Sequence, residues 1–196
     1  MITFKQFLKE DEGITLEEML HECMPYIQQS GDQFIYRGLK SPTGEMTLTI
    51  PNGERKIYRM EVRKDRRPLD TDIETHNFVD GWMKQEFGIA GRSQALFVTG
   101  DANSAKGYGD PYIILPRGDF KFIWSPSVPD MADLHFPRDS DKVEVISKKG
   151  YQTTDLSGAI NSYNEIMIDC HDFYAIPNGH IIRQILKDAF HEMRKA

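Results

Sequence analysis

Three short segments of this chain put polar residues where apolar strands begin or end, and those residue types can do chemistry. Phe34-Ile35-Tyr36-Arg37-Gly38 delivers a single arginine followed by glycine. A guanidinium offers a fixed fork of donors to a diphosphate and stays charged, or else pairs with a carboxylate at a strand end. Leu96-Phe97-Val98-Thr99-Gly100 ends in a hydroxyl, with Ala105 and Tyr108-Gly109 close behind. That pattern suits either ordinary strand-turn-helix packing or a polar pocket with an aromatic wall. Asn164-Glu165-Ile166-Met167-Ile168 places a carboxylate at the first residue of an apolar strand. Such a position is often solvated, but a carboxylate held there can also face positive charge developing on a substrate.

Other constellations carry less. His21 and Cys23, one residue apart on an expected helix, point to different faces, as do the adjacent Cys170 and His171 of an expected strand followed by Asp172. Their spacing is not that of a metal centre, so the reading is a buried thiol and surface imidazoles, with no metal. Neither cysteine lies beside an expected base, and the chain contains no GxGxxG, GxxxxGK[ST] or GxSxG.

The elements that must position these residues follow from patterning. Thr15 with Glu18 is a capping box for a helix whose stripe is Leu16, Met19, Leu20, Cys23 and Ile27, with Pro25 expected to kink or end it. Strands are expected at 33–39, 46–50 and 57–62, with Pro51, Asn52 and Gly53 turning between the last two. A helix after Thr71 would bury Ile73, Val79, Trp82, Met83 and Phe87 and stop at Gly88. Strand character then returns in QALFVT, PYIILP and DFKFIW and, after a Pro- and Asp-rich loop from Ser125 to Asp141, in VEVIS, NEIMID and DFYAI. A last helix, capped by Asn178, would bury Ile181, Ile182, Ile185, Ala189, Phe190 and Met193. Strands outnumber helices without alternating with them, so the expected class is α+β, mostly antiparallel.

Composition sets outer limits. Of 196 residues, 39% are hydrophobic and 28% charged, which suits one domain with one core over residues 13–196 and excludes disorder throughout. Two cysteines and no apolar run near ~18 residues suggest a reducing compartment and no membrane. A net charge of -6 argues against broad nucleic-acid binding. The run ERKIYRMEVRKDRR from Glu54 to Arg67 is a basic exception, readable as a solvated strand face or as a surface for an anionic partner.

Taken in order, the Arg37, Thr99 and Glu165 segments resemble the split NAD site of ADP-ribosyltransferases, across about residues 33–176. The resemblance implies an ADP-ribosyltransferase-like fold, with mostly antiparallel sheets in a split sandwich flanked by helices. It also implies NAD as substrate: Arg37 and Gly38 hold the dinucleotide, Thr99 orients the nicotinamide ribose, Phe97 or Tyr108 walls the nicotinamide, and Glu165 is catalytic. Tyr163 stands where arginine-modifying members carry a second glutamate, so the resemblance implies an acceptor other than arginine. The expected activity is mono-ADP-ribosyl transfer to a host protein or nucleic acid. The opening MITFKQFLKE is similar to leaders that package internal head proteins of large tailed bacteriophages. That similarity implies a leader over residues 1–12, phage origin, packaging in the head and action in the host cytoplasm. The alternative is a non-catalytic phage protein of the same fold that blocks a host defence factor, or a structural head component.

Overall fold

The computed structural model describes residues 13–68 and 71–195; the leader reading of residues 1–12 lies outside them. Strands β1 (Ile14–Thr15), β2 (Ile35–Leu39), β3 (Glu45–Ile50), β4 (Gly53–Glu61), β5 (Leu96–Thr99), β6 (Asp110–Pro116), β7 (Lys121–Trp124), β8 (Glu165–Asp169) and β9 (Asp172–Pro177) pair in the order β1-β3-β4-β9-β6-β2-β5-β8-β7. The short β1 runs parallel to β3; the other pairs are antiparallel. This is an α+β architecture. The expected sandwich is instead one continuous hydrogen-bonded sheet, because β2 pairs on both edges. Its bond to β6 runs through five residue pairs, from Ile35↔Ile114 to Leu39↔Asp110, whereas its bond to β5 is the single pair Tyr36↔Thr99.

Helices α1 (Leu16–Glu22), α2 (Met24–Ser30), α3 (Ile73–Phe87), α4 (Gly91–Gln94), α5 (Ala102–Ala105), α6 (Lys142–Ser147), α7 (Leu156–Ser162) and α8 (His180–Met193) surround the sheet. Among the described residues none is long and apolar enough to cross a membrane. The Thr15/Glu18 capping box opens α1 as its sequence requires. The helix ends, rather than kinks, just ahead of Pro25. The break falls at Cys23, and Pro25 occupies the first turn of α2, where its missing N–H costs nothing.

The core has two parts. The larger contains Ile35, Ile113, Val98, Ile166, Phe173 and Phe190, and the smaller holds Val79, Met83, Ile123, Met131, Ile146 and Met167 beneath α3. Alternation along β8 therefore feeds both: Ile166 and Ile168 point to one, Met167 to the other. A strand covered on both faces must be apolar throughout its middle, as Ile166-Met167-Ile168 is.

Several expectations fail locally. VEVIS is the helix α6, because the Asp141 side chain accepts from the amides of Val143 and Glu144 and starts a helical turn; only Ile146 of it is buried, and Val143 lies 49% exposed. Ile73 and Ile181, at the first turns of α3 and α8, face solvent instead of the core. The helix after Thr71 forms as expected, capped by Asp72, whereas α8 has Gly179 at its cap position and no side-chain cap from Asn178.

One ion network ties α1 to the sheet. The buried Asp172 accepts from Arg59 Nε at 2.9 Å and from Arg117 Nη1 at 2.8 Å, while Glu22 accepts from Arg117 Nε and from the Tyr174 hydroxyl, both at 2.5 Å. These cations hold the Asp172 carboxyl below the usual aspartate range despite its burial. Removing one partner from such a network strands the others. Asp172→Ala is therefore expected to cost about 3 kcal/mol, discounted toward 2 by the solvent around Arg59, as read from the urea midpoint.

Candidate functional site

Glu165, Thr99 and Tyr36 stand in one row across three neighbouring strands, in the registers Tyr36↔Thr99 and Thr99↔Glu165. Directly opposed residues on paired strands share a face, so Thr99 and Glu165 are side-chain neighbours on the face that also carries Phe97 and Met167. Arg37, next along β2, sends its guanidinium across to β5, where Nη1 donates to the Phe97 carbonyl at 2.6 Å. Gly38 serves this junction by having no side chain. A Cβ there would lie 2.1 Å from the Ala105 carbonyl oxygen and 2.7 Å from the Gly109 nitrogen, so the α5 segment packs directly on β2.

The Thr99 hydroxyl donates to the Tyr163 carbonyl at 2.8 Å and accepts from the Asp101 amide at 3.2 Å. It thus fastens the entry to β8 to the start of α5. Tyr163 itself is exposed and left-handed, with φ 62°, closing α7 immediately before the strand. The Glu165 amide donates to the Pro129 carbonyl at 2.8 Å, which draws the Pro- and Asp-rich loop over the strand end. That loop contributes the Met131 amide, 3.4 Å from Glu165 Oε1, and Asp130, which accepts from the Tyr108 hydroxyl at 3.4 Å. Tyr151 completes the wall, donating to Met131 Sδ at 3.0 Å.

Three guanidiniums surround the carboxylate, and sequence reading singled out only Arg37. Arg66 lies over the Phe97 ring, 3.8 Å from its centroid, with its amide on the Ser93 carbonyl at 3.1 Å. Arg92 is 8% exposed; its Nε donates to His76 Nδ1 at 3.2 Å and its Nη2 to the Thr71 hydroxyl at 3.0 Å. Asp80 of α3 holds this corner by accepting from the amides of Arg92 and Ser93 and from the Ser93 hydroxyl. Nη1 of Arg66 and Nη1 of Arg92 are buried without a hydrogen-bond partner. Among the described residues, no carboxylate lies within ion-pairing distance of Arg37, Arg66 or Arg92.

The electrostatics follow from this crowding. Burial and then the neighbouring Asp130 push Glu165 up to about 8, while the Met131 amide, Arg66 and Arg92 pull the other way. Arg37 is depressed to about 10, first by burial and then by Arg66, with Glu165 opposing. Burial also lowers Arg66 and Arg92, and for each of them Glu165 is the principal opposing charge. His76 is lowered by burial and by Arg92, so at neutral pH it stays uncharged and accepts from that arginine.

Arg37, Gly38, Phe97, Thr99 and Glu165, the candidates the sequence offers, thus meet at one strand junction. The exposed Tyr108 stands at its rim, reaching Asp130. Phe97 is not a free aromatic wall, since Arg66 covers its ring. In the sequence Arg66 is one charge in a basic run. Arg92, Asp130 and Tyr151 carry no pattern, because loops and a short helix bring them in, and His76 lies on α3 as a polar residue with no spacing that marks it. No protein-family model, curated protein or solved structure matches this chain.

Because its carboxyl titrates higher folded than unfolded, Glu165 keeps its proton in the native state at pH values where the unfolded chain has lost it. Stability therefore falls as pH rises from about 4.5 to about 8. Glu165→Gln removes this dependence. The variant is expected to melt above the parent at pH 8, with the gap closing by pH 5; equal pH profiles for the two proteins would contradict the enclosed carboxyl.

Proposed function

We propose that this protein is a mono-ADP-ribosyltransferase that transfers ADP-ribose from NAD to a macromolecular acceptor. The observation that carries the reading is the single junction at which Arg37, Thr99 and Glu165 meet on the adjacent strands β2, β5 and β8. Arginine, hydroxyl and carboxylate follow one another in the order seen in the family's motifs, and a cationic surround suits a substrate carrying a diphosphate.

In the reaction, the bond between nicotinamide N1 and ribose C1′ breaks and nicotinamide leaves as a neutral molecule with the electron pair. Positive, oxocarbenium-like charge develops on the ribose. Glu165, accepting from the ribose 2′-hydroxyl, stabilises that charge. The acceptor then bonds to C1′ from the opposite face and releases its proton to solvent. Arg37 supplies donors to the dinucleotide phosphates. With the Phe97 ring covered by Arg66, the aromatic surface for the nicotinamide falls to Tyr108. Thr99 acts through position: its bond to the Tyr163 carbonyl fixes the residue pair that precedes Glu165.

The charge logic fixes a pH dependence. Glu165 must be ionised to stabilise a cation, and in the free protein it loses its proton near 8. Turnover at low NAD should therefore rise from pH 6 to pH 9 and level off, with the midpoint moving lower once the cationic nicotinamide is bound. Incubation of the protein with labelled NAD and a bacterial lysate should transfer label to macromolecules and release nicotinamide. Glu165→Gln should reduce transfer by roughly 100-fold or more while leaving NAD affinity within a few-fold. Absence of both NAD consumption and NAD binding in the parent protein would exclude this function.

A further inference from the structure

Arg66 and Arg92 approach Glu165 from outside the three-strand junction, and the proposed chemistry does not use them. Each has a buried Nη1 that bonds to nothing, and neither is ion-paired with a carboxylate among the described residues. Their remaining contacts hold them still. Arg92 is fixed at Nε by His76 and at Nη2 by Thr71, and Arg66 is stacked on Phe97 and tied by its amide to Ser93. Both lead back to Asp80, which bonds the backbone of Arg92 and Ser93. The side chains are thus braced from behind, with the buried Nη1 of each left unbonded.

Enclosing two cations with no carboxylate at ion-pairing distance is costly, and an unbonded buried nitrogen adds to that cost. Glu165 is the principal opposing charge for both but forms no ion pair with either, and its Oε1 is turned to the Met131 amide. A water molecule would satisfy the donors but not the charge. A single carboxylate would balance one guanidinium of the pair, whereas a diphosphate carries two negative charges and enough acceptor oxygens for both.

We propose that Arg66 and Arg92 form a diphosphate-binding subsite beside Glu165, which, on the NAD reading above, takes the diphosphate of the dinucleotide together with Arg37. A guanidinium is suited to this because it stays charged when enclosed and presents parallel donors to phosphoryl oxygens. Stacking Arg66 on Phe97 keeps its fork in a fixed plane, so little side-chain freedom is lost when the anion enters.

The test is calorimetric titration of pyrophosphate and of ADP-ribose into the parent protein, Arg66→Gln and Arg92→Gln, with NAD turnover followed in parallel. Arg92 is enclosed, so Arg92→Lys keeps a cation in place if the glutamine variant does not fold. The more exposed Arg66→Gln reports independently. Each glutamine substitution should weaken pyrophosphate and ADP-ribose binding by roughly 10- to 100-fold and flatten its salt dependence, with Arg92→Lys intermediate. Nicotinamide, which has no phosphate, should bind all of them equally well and leave pyrophosphate binding unchanged. Pyrophosphate that fails to bind the parent, or that binds folded Arg66→Gln and Arg92→Lys within twofold of it, overturns the subsite. The two readings fail separately. Unchanged KM for NAD in both variants with turnover intact would remove the subsite and leave the transferase. Arginine-dependent pyrophosphate binding without NAD consumption would remove the transferase and leave the subsite.

Discussion

The single backbone pairing between Tyr36 and Thr99 is the constraint on which the rest of the site depends. On one side of it stand β6, β9, β4 and β3, joined by long ladders; on the other stand only β5, β8 and β7. A full ladder between β2 and β5 would have used the backbone groups that instead meet side chains. With one pair, the Phe97 carbonyl is free to accept from Arg37, while the Thr99 hydroxyl beside that pair donates to the Tyr163 carbonyl. Gly38 and Gly100 belong to the same constraint. A Cβ at Gly100 would lie 1.8 Å from the Ile160 carbonyl oxygen, so the chain after β5 passes directly against α7.

Charge and burial are set against each other around this junction. Glu165 sits at the edge of the smaller apolar cluster, sharing a face with Met167 and touching the Met131 segment. Enclosure and Asp130 favour its neutral form, and the arginines favour the ionised one. A carboxyl poised near neutrality by opposing influences suits chemistry that creates positive charge beside it. The ion network of Glu22, Arg117, Asp172 and Arg59 shows the contrasting arrangement. There each acid is met by direct bonds, and the Glu22 and Asp172 carboxyls lie below their usual range.

The basic run between Glu54 and Arg67 divides along the same lines. Lys56 pairs with Glu45 and Arg59 with Asp172 along β4, and Lys64 reaches Asp169 on β8, so much of the run is structural. Only its distal end turns inward, where Arg66 meets Phe97 and the Ser93 carbonyl.

The sequence determined by itself what is local. Apolar runs, some alternating and some continuous, specified eight of the strands, and Thr15 with Glu18 and Gly88 marked helix ends, because side chains one to four positions apart decide those outcomes. The arginine, hydroxyl and carboxylate of the junction were legible too, each being a polar residue at the end of an apolar run. Local pattern misled where a nearby cap outweighed it, as Asp141 turned VEVIS into a helix. Only the tertiary structure decided that β2, β5 and β8 are neighbours, that Arg66 covers Phe97, and that Arg92, Asp130 and Tyr151 surround Glu165. Those contacts join residues about 15 to 130 positions apart, and their energies come from burial and charge in an enclosed space, which no local spacing encodes.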